Sequence, residues 1–174
     1  GVMRIEKGHA AGNELNGQTT AVDLGLGRMM STKKDFIGRV MAKRPGLADP
    51  ERPRLVGLKP VDRAARLRGG AHLLPRGAPP VAASDEGYVT SVAFSPTLGH
   101  WIALGFLRNG ALRHGERIIH HDPLRGGDAL VLGAAAAIEA ALAGDAELMR
   151  PLPDIAALRA APPIAGMAEV RGGG

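Results

Sequence analysis

The sequence predicts an α+β chain that is mainly β, built around a small antiparallel β-barrel over residues 54–128. Five short apolar runs, separated by Gly, Pro, Asp and Asn, predict the strands; they read RLVGLKP, AHLLP, EGYVTSVAFSP, HWIALGFL and ERIIHHDP. The 25 glycines and 13 prolines among the 174 residues indicate many turns and short elements. The dipeptide Asn109-Gly110 is typical of a tight turn between two strands.

Three other segments flank the predicted barrel. Residues 1–44, which we call the opening segment, begin with the polar stretch RIEKGHAAGNELNGQTTAVDLGLG, which fits neither an amphipathic helix nor an alternating strand. Residues 45–53 read PGLADPERP, and their prolines predict a linker. Residues 129–174 form an Ala-rich tail, which predicts a helix from about 133 to 149 and a disordered end.

The second half of the opening segment predicts a further helix. Ser31 or Thr32 can provide the N-cap, and Asp35 then lies in the first turn. The apolar residues that follow recur at 3.6-residue spacing; they are Phe36, Ile37, Val40 and Met41. This pattern is typical of an amphipathic helix.

The composition argues against several classes of partner. The net charge of +5 attracts polyanions in general, but the arginines are scattered and no aromatic residues alternate with them as on a base-stacking face, so we expect no nucleic acid partner. No apolar run approaches the roughly 20 residues that cross a bilayer, so we expect no membrane partner. The absence of cysteine excludes disulfides and fits a cytoplasmic location. The chain opens on Gly rather than Met and shows no signal peptide, so we expect further chain upstream.

Local chemistry predicts neither catalytic residues nor a metal site. No Ser is paired with a His and a carboxylate at a recognisable spacing. His120 and His121 are adjacent and are followed by Asp122, but neighbouring side chains on a strand point to opposite faces. We therefore expect these three residues to form a surface turn rather than a zinc site.

Two long stretches are more distinctive than the rest. The first contains RIEKGH, NELNGQTTA and LGLGRMMSTKKDFIGR, and the second contains GYVTSVAFSPTLGHWIALG. Together, and in this order, they resemble the folate-dependent aminomethyltransferase family, the T-protein of the glycine cleavage system. Within that family these sequence motifs, together with KPVDRAARLRGGAHL, are most similar to the C-terminal part of alpha subunits of heterotetrameric sarcosine oxidases.

The resemblance implies a domain order. Residues 1–44 would be the end of the family's central folate-binding domain, residues 45–53 the linker, and residues 54–128 its final β-barrel. After Asp128 the sequence departs from the family, and residues 129–174 match none of its motifs. We therefore expect a barrel that lacks a strand and exposes an edge, with the predicted tail helix stable only if it docks there.

The resemblance also implies an activity. Such an enzyme demethylates sarcosine by oxidation and transfers the one-carbon unit to tetrahydrofolate, giving glycine, hydrogen peroxide and 5,10-methylenetetrahydrofolate. Tetrahydrofolate is then the cofactor relevant to this segment, whereas FAD, FMN and NAD bind elsewhere in the complete enzyme, and the beta, gamma and delta subunits are the implied partners. The chain alone is expected to be inactive. The alternative is a non-catalytic aminomethyltransferase-like module for binding or subunit assembly.

Three residues are the folate-binding candidates that this comparison suggests. Arg4 can bind folate carboxylates through its guanidinium, or it can form a structural ion pair across the domain boundary together with Glu6, which shares its face if the chain is extended. Tyr88 can stack on the pterin or the aminobenzoate ring.

Other polar residues of the motifs are expected to be structural. We expect Glu14 and Asp23 to tie down turns. We expect Thr90 and Ser91 to bond the backbone at a strand end, and Trp101 to be a core residue.

Overall fold

A computed structural model describes residues 1–122 and 127–133 and shows a closed barrel of six antiparallel strands. The strands follow one another around the barrel in the order β1-β4-β3-β2-β5-β6. Their bounds are β1 Pro53–Pro60, β2 His72–Pro75, β3 Gly87–Ser95, β4 His100–Arg108, β5 Arg117–His121 and β6 Gly127–Gly133. The predicted mainly-β fold with a small antiparallel barrel is confirmed, and all five predicted apolar runs are strands.

The barrel interior is filled by aliphatic side chains from alternate strand positions. Val56 and Leu58 of β1 point inward and are fully buried, together with Leu73, Val89, Leu107, Ile118 and Val131 from the other strands. Trp101 is half-buried and packs against this interior cluster rather than lying within it. Asn109 has a φ of +53°, a left-handed conformation, so the chain does turn at the predicted dipeptide. The turn is not a tight hairpin, because a 3₁₀ turn, Gly110–Leu112, follows it and β4 does not pair with β5.

The opening segment lies on the outside of the barrel. Its short helix α1, Val2–Glu6, places Ile5 against the outward-facing side chains Leu55, Ile102, Leu104, Phe106 and Leu132. These residues alternate with the interior ones along their strands, so this part of the barrel wall is buried on both faces. The backbone N–H of Leu55 also donates to the carbonyl of Asp23, which ties the segment to β1.

The sixth strand corrects our expectation of an open barrel. β6 pairs with β1 on one side and with β5 on the other, so the edge expected after Asp128 does not exist. Ala129 and Val131 point inward and are fully buried. The strand continues to Gly133, beyond residue 128, where we expected the barrel to end. The helix predicted for residues 133–149 falls almost entirely outside the described residues.

The helix predicted for the second half of the opening segment is wrong. From Ser31 to Arg44 only one 3₁₀ turn forms, Met41–Lys43, although the Ser31 hydroxyl does accept hydrogen bonds from the N–H groups of Lys33 and Lys34. Gly38 has a φ of +93°, which no α-helix allows. Ile37 and Val40 of the apolar stripe are largely exposed, so these two side chains do not pack on the barrel, and short helices are marginal without packing.

The predicted linker contains a short helix, α2, Pro45–Ala48, which begins with a proline at its first position. Over the described parts of the chain, no helix is both long and apolar enough to cross a membrane.

Candidate functional site

A buried carboxylate joins the opening segment to the barrel. Glu14 is completely buried, and its Oε1 accepts hydrogen bonds from the hydroxyls of Thr90 and Ser91, both at 2.5 Å. Its Oε2 accepts from the backbone N–H of Ala11 at 2.9 Å and from the Arg4 guanidinium at 3.2 Å. The carboxylate therefore has partners on both oxygens, and two of them come from β3.

A β-bulge explains how two adjacent residues reach one oxygen. Neighbouring side chains on a regular strand point to opposite faces. The pairing of β3 with β4 shifts between Val89 and Ser91, and this bulge lets the Thr90 and Ser91 hydroxyls both face Glu14. We expected these hydroxyls to bond the backbone. Thr90 does donate to the carbonyl of Leu104 as well, but Glu14 is the partner that the two residues share.

Hydrogen bonding determines the protonation state of Glu14. Burial alone would raise the pKa of its carboxyl, because burial disfavours the charged form. The hydrogen bonds from Ser91, Thr90 and Ala11 and the positive charge of Arg4 outweigh this effect and hold the pKa below its ordinary value. Glu14 is therefore ionised at neutral pH, and we assign it a structural role.

Asp23 is a second buried carboxylate, and it holds the other end of the opening segment. Its two oxygens accept from the Nε and a terminal nitrogen of Arg52, with the shortest contact at 3.0 Å, and Arg54 lies 3.4 Å away. The backbone N–H of Thr20 also donates to it. Burial alone would raise the pKa of Asp23. The hydrogen bonds from Arg52 and Thr20 and the positive charge of Arg52 outweigh burial, so the pKa lies below its ordinary value. As expected, Glu14 and Asp23 tie down turns.

These two carboxylates predict a loss of stability in acid. A carboxyl whose pKa is lower in the folded than in the unfolded chain stabilises the fold while it is ionised. Its contribution is fully present above the ordinary pKa, which is 4.5 for Glu14 and 3.8 for Asp23. It is lost as the pH falls through the lower pKa of the folded chain. We expect the urea midpoint to fall steeply from about pH 5 to about pH 3. Glu14→Gln should make this decline shallower, whereas Leu112→Ala, at an exposed apolar side chain, should leave its slope unchanged. Equal slopes for Glu14→Gln and the parent chain would contradict this assignment.

The structure separates the two charged residues predicted to act together. Arg4 and Glu6 lie on helix α1 rather than on an extended segment. The Arg4 guanidinium contacts Glu14, the carbonyl of His9 and the Ser91 hydroxyl, the last at 2.6 Å. Glu6 accepts a hydrogen bond from the Ser95 hydroxyl at 2.6 Å. Both residues thus bind β3, and their contact with folate stays a prediction.

Tyr88 lies in a groove between the opening segment and the barrel. Its side chain is 41% exposed, and its ring lies 6.1 Å from that of Phe106 in a tilted arrangement. The groove has a volume of about 280 Å³. It is also lined by Asn16, Gln18, Thr19, Leu47, Pro53, Phe106 and the ion pair of Asp23 with Arg52. An apolar wall with a few amide, hydroxyl and guanidinium groups suits a flat aromatic ligand that carries hydrogen-bonding edges.

His120 is not in the surface turn that we expected. It belongs to β5, it points into the barrel, and its Nε2 accepts a hydrogen bond from the backbone N–H of Arg68 at 2.9 Å. Burial lowers the pKa of its imidazole, which keeps the ring neutral as this acceptor role requires. Within residues 1–122 and 127–133 there is no group of three or more His, Cys, Asp or Glu side chains that could hold a metal ion.

Residues 54–126 match the family model of the glycine cleavage T-protein C-terminal barrel domain. The fold is similar to the crystal structure of glycine cleavage system aminomethyltransferase T from Bartonella henselae, with a TM-score of 0.59 and 25% sequence identity. The superposed region covers 74% of this chain and 35% of the Bartonella chain. The barrel and part of the opening segment therefore have the architecture of an aminomethyltransferase C-terminal region.

Similar sequences come from two kinds of protein. The alpha subunit of sarcosine oxidase from Rhizobium meliloti is 49% identical over 126 residues, which are 72% of this chain and 13% of that protein. The alpha subunit from Corynebacterium sp. strain P-1 is 38% identical over 118 residues, 66% of this chain and 12% of that protein. The aminomethyltransferase of Corynebacterium jeikeium is 40% identical over 122 residues, 65% of this chain and 28% of that protein. The chain thus spans about an eighth of the length of the sarcosine oxidase relatives.

Proposed function

The chain carries a C-terminal barrel domain of the glycine cleavage T-protein family, and from this premise we propose that it contributes the scaffold of a folate site in a sarcosine oxidase alpha subunit. The observation that carries the proposal is the groove at Tyr88, which the opening segment and the barrel form together. Aminomethyltransferase relatives support the use of folate, and sarcosine oxidase subunits among the relatives support assembly into a complex of several subunits.

The groove fits tetrahydrofolate in its chemistry. The exposed ring of Tyr88, with Phe106 behind it, offers an aromatic face for the pterin or the aminobenzoate. The side-chain amides of Asn16 and Gln18 can exchange hydrogen bonds with a heterocycle edge. The Glu14 and Asp23 anchors keep the opening segment against the barrel and so preserve the groove.

We propose the reaction of the full enzyme as follows. Sarcosine is oxidised by two electrons that pass to molecular oxygen and reduce it to hydrogen peroxide, and its methyl carbon is transferred to tetrahydrofolate, which leaves glycine and 5,10-methylenetetrahydrofolate as the other products. The residues described here bind and orient folate and exclude water from one side of it. FAD, FMN and NAD, together with the beta, gamma and delta subunits, are proposed to complete the enzyme around this segment. The proposed location is the cytoplasm.

A second candidate function is a non-catalytic module for binding or subunit assembly. The observation that favours it is the exposure of large apolar side chains on the opening segment, namely Met3, Leu15, Met29, Ile37 and Val40. Apolar side chains left exposed in this number on one segment can be covered by a partner protein if they lie together on its surface. Folate binding through Tyr88 distinguishes the two candidates, because an assembly module does not need it.

Titration of the chain with tetrahydrofolate tests the folate proposal. We expect weak binding, with a dissociation constant no tighter than about 0.1 mM, which corresponds to roughly −5.5 kcal/mol. Tyr88→Ala should weaken binding about three- to tenfold, since an aromatic pair contributes about 0.5–1.5 kcal/mol beyond its buried area. Isothermal titration calorimetry measures both values.

The matched control is Phe94→Ala. Phe94 is also an exposed aromatic residue of β3, but its ring packs on Trp101 and lies outside the groove. Its removal should leave the folate affinity unchanged. Loss of affinity in both variants, or in neither, would count against a binding role for Tyr88, and the absence of any folate binding by the parent chain would favour the assembly module.

A further inference from the structure

Asn16 precedes a glycine on an exposed turn. The chain has three asparagines, and two of them, Asn16 and Asn109, are followed by glycine. Asn16 and Gly17 are both exposed, and a Cβ added to Gly17 would meet nothing within 4 Å. Glycine also has the widest backbone conformational range of any residue. Neither packing nor a side chain at position 17 therefore hinders the approach of the Gly17 nitrogen to the Asn16 side chain.

Two hydrogen-bond donors converge on the side-chain oxygen of Asn16. Its Oδ1 accepts from the backbone N–H of Gln18 at 2.8 Å and from the Thr19 hydroxyl at 3.1 Å. This oxygen is the atom on which negative charge develops when a nucleophile attacks the amide carbon Cγ, and donors aimed at it stabilise that charge. Over the described residues the N–H of Gly17 has no hydrogen-bond partner, so its nitrogen is the available nucleophile.

From this geometry we propose that Asn16 and Gly17 form a self-modification site, at which the side-chain amide of Asn16 is lost as ammonia. The Gly17 nitrogen gives its proton to solvent hydroxide and forms a bond to Cγ of Asn16, which closes a succinimide ring. The bond from Cγ to the side-chain nitrogen breaks, and that nitrogen takes a proton from water as it leaves. Water then opens the ring at either carbonyl and gives aspartate or isoaspartate at position 16. The net reaction consumes water, releases ammonia and needs no oxidant or reductant.

Asn109 and Gly110 form the same dipeptide in different surroundings. Gly110 is buried, and a Cβ there would lie 2.5 Å from Cγ1 of Val56. Among the described residues, no donor reaches the side-chain oxygen of Asn109. Ring closure at this pair would move packed backbone, so it has to wait for local opening of the turn. The fold thus exposes one Asn-Gly pair to the reaction and protects the other.

The reaction changes the wall of the groove at Tyr88, which Asn16 lines together with the ion pair of Asp23 and Arg52. Either product replaces the amide of Asn16 by a carboxylate, on a wall that already carries the Asp23 carboxylate. Isoaspartate also lengthens the backbone by a methylene group and so disturbs the turn to Thr19. The chain therefore acquires a second, more negatively charged form of this groove, and it does so whether or not the groove binds folate.

Peptide mapping by mass spectrometry of the chain during incubation in mildly alkaline buffer tests the proposal, since it measures aspartate and isoaspartate at both sites. In the folded chain we expect Asn16 to react at least about tenfold faster than Asn109, because reaction at Asn109 requires local opening of packed backbone. In the urea-unfolded chain the two sites should react at similar rates, since the fold no longer distinguishes them. Similar rates in the folded chain, or no reaction at Asn16, would overturn the proposal.

Thr19→Val tests the role of the converging donors. It removes one hydrogen bond to Oδ1 and should slow the reaction at Asn16 about two- to tenfold, the range that one ordinary hydrogen bond gives. The matched control is Thr97→Val, which removes an exposed hydroxyl elsewhere and should leave the rate unchanged. Continued protection of Asn109 in the same samples shows that each variant is folded. A parent-like rate at Asn16 in folded Thr19→Val would contradict the assignment of these donors.

Discussion

Replacing Glu14 by Ala is expected to loosen the opening segment from the barrel by about 3 kcal/mol, because it removes the central acceptor of a buried charged network. The variant takes this acceptor from two hydroxyls of β3, the backbone N–H of Ala11 and the Arg4 guanidinium, although Thr90 keeps the Leu104 carbonyl and Arg4 keeps the His9 carbonyl and the Ser91 hydroxyl. Arg4 retains access to water, so the cost should lie at the lower end of the range for buried ion pairs. Ile5 loses its fixed place over the outer barrel wall as a consequence.

Hydrogen exchange measured by mass spectrometry shows which segments lose protection in Glu14→Ala. Peptides from residues 1–15 should exchange much faster in Glu14→Ala, while peptides from β5 and β6 should change little. Asp35→Ala is the control, since Asp35 is also in an ion pair of the opening segment, with Arg39, but is 86% exposed. Exposed pairs contribute only about 0.2–1 kcal/mol, so this variant should resemble the parent. Unchanged protection of residues 1–15 in Glu14→Ala would mean that apolar packing alone holds the segment.

The strands of this fold could be predicted because their signals are local. Short apolar runs, with turn residues between them, are sufficient to place β1 to β5, and Asn109-Gly110 marks a turn after β4. β6 was missed although ALVL is a short apolar run like those of the other strands. Its residues adjoin the Ala-rich tail, and their strand character is secured only by pairing with β1, about 70 positions earlier in the chain.

The candidate site could not be predicted in full, because it is built from contacts between residues that are far apart in the sequence. Glu14 meets Thr90 and Ser91 across 76 and 77 positions of sequence, and the bulge that aligns the two hydroxyls arises from pairing between strands. A signal was nevertheless present, since two adjacent hydroxyl residues inside an apolar strand indicate a polar partner outside the sheet. The helix predicted after Ser31 failed for the opposite reason. The apolar residues do recur at helical spacing, but Gly38 adopts a non-helical conformation, and Ile37 and Val40 remain exposed instead of packing on the barrel.

Gly87→Ala is expected to be the most damaging small substitution in the barrel. A Cβ at this position would lie 1.9 Å from the carbonyl oxygen of Phe106 and 2.8 Å from its carbonyl carbon. Both are backbone atoms of β4, the strand with which β3 pairs along its whole length, so no side-chain rotation relieves the clash. The backbone φ of +156° adds strain for any residue with a Cβ. We expect a loss of at least about 3 kcal/mol, at the upper end for overpacking.

The urea midpoint of Gly87→Ala, compared with that of Gly127→Ala, measures this effect. Gly127 also begins a barrel strand, but a Cβ there meets no atom within 4 Å, so its replacement should change stability by less than about 0.5 kcal/mol. If Gly87→Ala still folds, the first residues of β3 must have moved away from β4. Tyr88 is the next residue, so its ring would shift relative to Phe106 and folate affinity should fall together with the midpoint. A parent-like midpoint and a parent-like folate affinity in Gly87→Ala would show that β3 and β4 are not packed this closely, and that the position of Tyr88 does not depend on their contact.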